Sequence, residues 1–142
     1  MEMNLPFIYL SRRQCPDSGG FGKFAGGMGG EEIIMVHEGN EVELGMDGEG
    51  RKVPSSLAMF GGYPAGLQDV IFSLNSNVRE WFAQGKSPTT MEELYLLNSE
   101  TRAVPSSYPP IAVKDYDILA YQWAGGGGYG DRRPSGVLWP EP

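Results

Sequence analysis

The stretch Asp17-Ser18-Gly19-Gly20-Phe21-Gly22-Lys23-Phe24-Ala25-Gly26-Gly27-Met28-Gly29-Gly30, seven of whose fourteen residues are glycine, constrains this chain most. Two further glycine clusters follow, Phe60-Gly61-Gly62-Tyr63-Pro64-Ala65-Gly66 and Ala124-Gly125-Gly126-Gly127-Gly128-Tyr129-Gly130-Asp131. Glycine gives up more backbone freedom on folding than any other residue, and in return it admits positive φ and very close approach of other atoms. A chain that carries this cost in three places is shaping something there: tight loops, close packing or a site. With 21 Gly and 11 Pro in 142 residues, many turns and little long helix are expected.

Between the clusters the apolar pattern is that of short strands. Residues 7–10, 31–38, 67–74, 111–113 and 118–123 are apolar runs bounded by Gly, Pro or polar residues, and residues 41–47 alternate with period two. Gly39-Asn40 predicts a tight hairpin between the second run and the alternating one. Lys114-Asp115-Tyr116-Asp117 predicts a turn between the last two runs, and Pro105, Pro109 and Pro110 predict an extended segment before them. Asn75-Ser76-Asn77 marks the start of a short helix near Val78, with Val78, Trp81 and Phe82 on one face and Gln84-Gly85 as its end. Thr90 and Glu93 have capping-box spacing and predict a second helix running to about Asn98. The expected fold is mainly β: an antiparallel β-sandwich or barrel-like single domain over residues 1–142, with one or two short helices, glycine-rich loops and an extended tail over 132–142.

Charge and chemistry narrow the function classes. Net charge is −7, and the basic residues cluster only as pairs, Arg12-Arg13, Arg51-Lys52 and Arg132-Arg133, which gives no basic groove for nucleic acid or anionic lipid. No apolar run reaches the ~18 residues needed to span a bilayer, and the N-terminus lacks a signal pattern, so the chain reads as cytoplasmic with no membrane partner. One cysteine, Cys15, and one histidine, His37, provide no internal disulfide and no metal-ligand spacing. Asp17 and Ser18 lack a base to make a nucleophile, because the only histidine lies in an apparent strand. They are expected to anchor the following turns by side-chain to backbone hydrogen bonds. Cys15 is expected to be a small packed side chain. The first cluster has no G-x-x-x-x-G-K-S/T sequence, and no helix follows its glycines as in dinucleotide-binding folds. Tyr129 and Asp131 sit in a loop where they can line a pocket. No catalytic, cofactor-binding or metal-ligating residue is assigned within the chain.

Pro16-Asp17-Ser18-Gly19-Gly20-Phe21-Gly22-Lys23-Phe24-Ala25-Gly26-Gly27-Met28-Gly29 resembles the P-D-S-G-G-x-G-R/K-F/Y/W-R-G-G-x-G signature of the N-methylhydantoinase B family. Phe60-Gly61-Gly62-Tyr63-Pro64 is similar to that family's F-G-G-x-P-G loop, and Gly125-Gly126-Gly127-Gly128-Tyr129-Gly130-Asp131 to its G-G-G-G-Y/F-G-D loop. The three motifs occur in the family's order over about residues 5–132. The family includes the C-terminal part of ATP-dependent 5-oxoprolinase and subunits of acetone and acetophenone carboxylases. The resemblance implies that the chain corresponds to the C-terminal segment of a B-type subunit. A B-type subunit divided to leave a piece of this size, 15.5 kDa, is similar to the arrangement in the acetophenone carboxylases.

What the resemblance implies is a biotin-independent, ATP-dependent ligase that carboxylates a ketone-derived enolate equivalent. ATP and a divalent metal would be held by larger hydantoinase A-like and B-like partner subunits and none by this chain, with an aryl ketone and bicarbonate as substrates of the complex. Asp17, Ser18, Gly19, Gly20, Gly22, Gly26, Gly27, Gly61, Gly62, Gly127, Gly128, Tyr129 and Asp131 are then expected to form cavity or interface loops. Ala25 stands where the family usually has Arg, whose fork of donors is absent here. Arg132-Arg133-Pro134 stands in place of the family's closing helix. The other functions considered are a split ATP-dependent hydantoinase or 5-oxoprolinase and a non-catalytic interaction module.

Overall fold

The computed structural model describes residues 5–39, 42–105 and 107–131. Within them the chain runs β1 (Phe7–Gln14), β2 (Gly30–Val36), β3 (Val42–Asp47), β4 (Asp69–Leu74), α1 (Val78–Ala83), α2 (Met91–Leu94), β5 (Glu100–Ala103), β6 (Ser107–Val113) and β7 (Ile118–Trp123). Five strands form one sheet in the order β1-β2-β7-β4-β5, and β3 pairs with β6 in a second. Every strand pairing is antiparallel. The fold is therefore mainly β and layered like a sandwich. Of the two forms expected, the barrel is not made: β1 and β5 are the outer strands of the larger sheet.

Both faces of that sheet are covered, which explains its continuous apolar runs. Ile33 and Met35 of β2, Ile71 of β4, and Ile118 and Ala120 of β7 pack beneath the helical layer with Val78, Met91, Leu94 and Leu97. The alternate residues Val70 and Phe72 point the other way, where they meet Leu44 and Met46 of β3 and Tyr108 and Ile111 of β6. Strand β3 has only one covered face, so it alone keeps a clean alternation of half-buried and exposed residues. Fully buried side chains such as Phe72 and Ile33 contribute about 1.5–3 kcal/mol each.

Several local expectations change. Strand β1 continues four residues past its apolar run, because Glu32 and Glu31 stand opposite Arg12 and Arg13 in the register and pair with them. The hairpin expected at Gly39-Asn40 is not formed. Strand β2 pairs with β1 and β7, while β3 leaves for the second sheet. Asn40 itself lies outside the described residues. The turn over residues 114–117 does form, with Asp117 N–H donating to Lys114 O at 3.0 Å, but it carries the chain from one sheet to the other. Buried Asp117 holds this crossover, its carboxylate accepting from Asn75 N–H at 2.8 Å and Lys114 N–H at 2.9 Å. Strand β5 has a polar sequence and carries no apolar signal; it exists because β4 offers it an edge. Pro109 and Pro110 lie within β6, in a two-stranded sheet where a missing N–H is tolerated. The tail over 132–142 lies outside the described residues.

Both helices start at the expected residues, α1 at Val78 and α2 after Thr90, but only α2 is capped by a side chain. Asn77 precedes α1 but makes no capping bond; its amide donates to Glu80 Oε2 and its Oδ1 accepts from Asn98 N–H, both at 3.0 Å. Val78 is buried and Trp81 and Phe82 pack beside it, and Gly85 ends the helix at φ +72°. Helix α2 is shorter than expected. After Leu94 the N–H groups of Leu96 and Leu97 reach back only three residues, to Glu93 and Leu94, so the chain tightens out of α geometry. Its start is a capping box displaced by one residue. Thr90 Oγ1 accepts from Glu93 N–H at 3.3 Å, while Glu93 Oε2 accepts from Thr89 N–H at 2.6 Å and Thr89 Oγ1 at 3.0 Å. The Thr89 N–H bond holds the Glu93 carboxyl below the usual carboxylate range.

Two measurements check this start signal. Thr90→Ala is expected to lower the unfolding free energy by about 1 kcal/mol in urea titration. Because the Glu93 pKa is depressed on folding, its contribution is present above about pH 4.3 and is lost as pH falls through the lower folded-state value. Glu93→Gln should therefore lose less stability than the parent between about pH 5 and pH 3.

Candidate functional site

Register brings the three glycine clusters to one end of the larger sheet. Gln14 pairs with Gly30, Gly30 with Trp123, and Asp69 with Gln122. The end of β1, the start of β2, the end of β7 and the start of β4 therefore lie side by side. The loop over 15–29 joins β1 to β2, the loop over 48–68 enters β4, and residues 124–131 leave β7. Arg51 pairs with Asp69 at the foot of the second loop.

The loops meet through their backbones. Gly20 N–H donates to Gly126 O at 2.8 Å and Gly126 N–H to Gly27 O at 2.9 Å. Phe24 and Tyr129 exchange both backbone bonds, at 3.0 and 2.9 Å. Met59 N–H donates to Gly128 O at 3.0 Å, and Gly130 N–H to Met59 O at 2.9 Å. Gly128 N–H reaches Tyr63 O at 2.9 Å and Tyr63 N–H reaches Phe21 O at 2.7 Å. There is no room for side chains at these crossings. A Cβ on Gly26 would stand 1.9 Å from Gly126 O, and one on Gly20 would stand 2.0 Å from Tyr63 O. Gly19, Gly62, Gly127 and Gly128 face carbonyl oxygens at 2.4, 2.4, 2.0 and 2.1 Å in the same way. Gly22 abuts the Tyr129 backbone at 2.8 Å. Gly61 turns at φ +86° beside Asp131, and Gly27 faces open space.

Ser18 closes the root of the first loop. Its Oγ donates to Cys15 O at 2.6 Å and accepts from Gly29 N–H at 2.7 Å, the anchoring role expected of it. Asp17, expected to anchor likewise, is exposed at φ +57°, and its carboxylate has no hydrogen-bond partner among the described residues. His37 follows the opposite end of β2, where its N–H donates to Pro6 O at 2.9 Å and its ring lies 3.7 Å from Glu38. The fold thus separates Ser18 from the chain's histidine.

Buried Glu31, at the foot of the first loop, is the polar residue that sequence reasoning passed over. Its carboxylate accepts from Arg13 Nε at 3.0 Å and Nη2 at 3.3 Å, and from Met91 N–H at 3.3 Å. It ties β1, β2 and the start of α2 together. An uncompensated carboxylate here would cost several kcal/mol, which the Arg13 fork and the α2 N–H offset. The Arg13–Glu31 pairing was readable only once the β1–β2 register was known. Next to it, burial pushes the Cys15 thiol up, and the Glu31 carboxylate adds to the shift. An open groove beside Gly29 is flanked by Arg12, Arg13, Gln14, Met28 and Trp123, and its two arginines are engaged with Glu32 and Glu31 respectively. Among the described residues no group of three or more His, Cys, Asp and Glu is placed to hold a metal ion. No helix among them is long and apolar enough to cross a membrane.

A family model described as Hydantoinase B/oxoprolinase matches residues 1–132. The chain is 28% identical over 152 residues to the acetone carboxylase alpha subunit of Xanthobacter autotrophicus, covering 96% of this chain and 19% of that one. It is 25% identical over 137 residues to the acetophenone carboxylase delta subunit of Aromatoleum aromaticum, covering 92% and 20% respectively. A nucleotide-free structure of acetone carboxylase superposes with a TM-score of 0.78 at 26% identity, over 92% of this chain and 18% of that chain. The chain spans about a fifth of the length of the curated relatives it matches.

Adjacent glycines provide a paired check on the loop contacts. Gly26→Ala should cost about 3 kcal/mol or more in urea titration, because the obstacle is backbone that cannot rotate away. Gly27→Ala should change stability by no more than about 0.5 kcal/mol. The raised Cys15 pKa, together with its burial, predicts that the native protein reacts with a thiol reagent at neutral pH far more slowly than the urea-unfolded chain, as a colorimetric thiol assay would record.

Proposed function

The chain belongs to the hydantoinase B/oxoprolinase family, and from that premise we propose that it is part of an ATP-dependent ketone carboxylase, serving as the C-terminal segment of the B-like subunit. The observation that carries this reading is its similarity, over 92–96% of its length, to subunits of both acetone carboxylase and acetophenone carboxylase. We assign the complex an aryl ketone of the acetophenone type and bicarbonate as substrates, joined at the ketone-derived enolate without biotin. That finer assignment rests on the resemblance of a divided B-type subunit to the acetophenone carboxylases. The complex is assigned to the cytoplasm, where ATP is available.

In this reading ATP and the divalent metal belong to the larger A-like and B-like partners. The bonding of the loops supports that division. Five of the loop N–H groups, those of Gly20, Gly26, Gly62, Gly128 and Tyr129, already donate to loop carbonyls and are not free to cradle a phosphate or an enolate. The contribution of this chain is shape. Its loops form a wall whose geometry is set by backbone contacts before any ligand arrives, and they complete the B-like subunit at that wall. Asp17, Ser18, Tyr129 and Asp131, with the loop glycines, are assigned to this wall and its interface.

Co-expression with the larger A-like and B-like subunits tests the proposal. The complete complex should hydrolyse ATP only when both ketone and bicarbonate are present, and should fix labelled bicarbonate into acid-stable product. Omitting this chain should reduce both signals to background. ATP turnover on hydantoin or 5-oxoproline, with no ketone present, would replace the carboxylase reading with a cyclic-amide hydrolase. A preference for acetone over acetophenone would correct the aryl specificity alone.

A further inference from the structure

Phe24, Met59, Phe60 and Tyr129 form one exposed apolar cluster on the outer face of the loop wall, and we propose that this cluster is the surface that docks onto the remainder of the B-like subunit. The inference rests on the reading above and adds to it the face and the residues of contact.

Ladder geometry puts these side chains together. Phe24 and Tyr129 form an antiparallel bridge, and Met59 and Tyr129 a parallel one. Residues directly opposite one another in a ladder project to the same face. Tyr129 therefore stands between Phe24 on one side and Met59 on the other. The Phe24 and Tyr129 ring centroids are 6.3 Å apart, and Phe60 closes on the same tyrosine at 5.1 Å. Phe60 is presented by a left-handed backbone at φ +51°, a region that bulky residues rarely occupy. The cluster is nevertheless open to solvent: Phe24 is 62%, Met59 63%, Phe60 76% and Tyr129 48% exposed. Scattered exposed apolar residues need no explanation, whereas a contiguous cluster marks an interaction surface. Aromatic residues and Met without charges at the centre are the composition of an interface core, and the Lys23 ammonium, 5.8 Å from the Phe24 ring, lies at its rim.

Three observations identify the occupant. In the matched acetone carboxylase structure this fold accounts for 18% of the chain, and in the curated relatives 19% and 20%, so most of such a subunit lies outside it and must join it at some face. Both faces of the larger sheet are already covered, by the helices and by the β3–β6 sheet, so neither is free to take that contact, whereas the loop end presents this exposed cluster. A net charge of −7 on every copy opposes pairing between two copies of this chain. The backbone bonds that fix the loops also prepare the cluster for docking, because little loop freedom remains to be lost on binding.

The test uses the full chain and the purified large B-like subunit, with affinity measured by calorimetry and the state of the free chain by sedimentation velocity. Phe60→Asp should weaken binding by about tenfold or more. Aspartate accepts the left-handed backbone better than phenylalanine does, so circular dichroism and melting should show an intact fold. Met59→Lys provides a second variant with the same expected outcome. Leu96→Asp, at an exposed leucine after α2, should bind within about twofold of the parent, since surface changes outside the interface have small effects. If the parent binds and the Phe60 and Met59 variants bind equally well, the docking face is wrong while the subunit reading stands. If the parent itself does not bind, both fail. If the free chain is a dimer that Phe60→Asp separates, the occupant is a second copy and the proposal is overturned.

Discussion

The carbonyl oxygen of Gly126 lies where a β-carbon on Gly26 would be, and a set of similar contacts joins the other loops. Such contacts demand that three loops arrive at one height above the sheet. The register Gln14–Gly30–Trp123, with Asp69 opposite Gln122, sets that height. A slip of one residue in β2 or β7 would offset the loops and would also turn buried residues such as Ile33 and Ile118 to the opposite face of the sheet. Ser18 and Glu31 pin the first loop at its root, one through a buried hydroxyl and the other through the Arg13 fork. The core and the loops thus enforce the same alignment from two sides.

The energetic balance within the loops is narrow. Each backbone hydrogen bond contributes a net ~0.5–1.5 kcal/mol. Each glycine gives back a comparable amount, about 0.5–1 kcal/mol relative to alanine, through the freedom it loses. Side-chain burial adds little there, because Phe24, Met59, Phe60 and Tyr129 face outward. The loops borrow their order from β2, β4 and β7, whose apolar side chains fill both layers of the core. A surface made this way is stiff without being independently stable.

How much of this was legible in the sequence depends on how local each signal is. The strand at Ile118–Trp123 matched its apolar run, and Thr90 with Glu93 marked a helix start, because both signals lie within a few residues. The hairpin at Gly39-Asn40 failed for the opposite reason. Its turn chemistry was favourable, but the partner of β3 is β6, about sixty to seventy residues further along the chain. Strand β5 was silent because an exposed edge strand needs no apolar residues. Glu31 looked like an ordinary strand carboxylate until Arg13 was placed across from it. In the candidate site, the glycine clusters announced close approach, and Ser18 announced a side-chain anchor. Which glycine meets which carbonyl was hidden, since a residue without a side chain carries no mark of its neighbour.

The distance along the chain between the meeting loops has a consequence for the order of folding. Gly20 and Gly126 are about a hundred residues apart, and closing so long a loop is entropically slow. During synthesis the first glycine loop emerges early and has nothing to lock against. The second arrives with β4, and the third only after β7 has taken its place between β2 and β4. Completion of the wall is therefore a late event, and a nascent chain that has not yet delivered residues 124–131 carries strands but no finished surface. Sequence position alone thus gives the segment a built-in delay: its aromatic cluster takes shape only once Tyr129 has followed β7 out and met Phe24 and Met59.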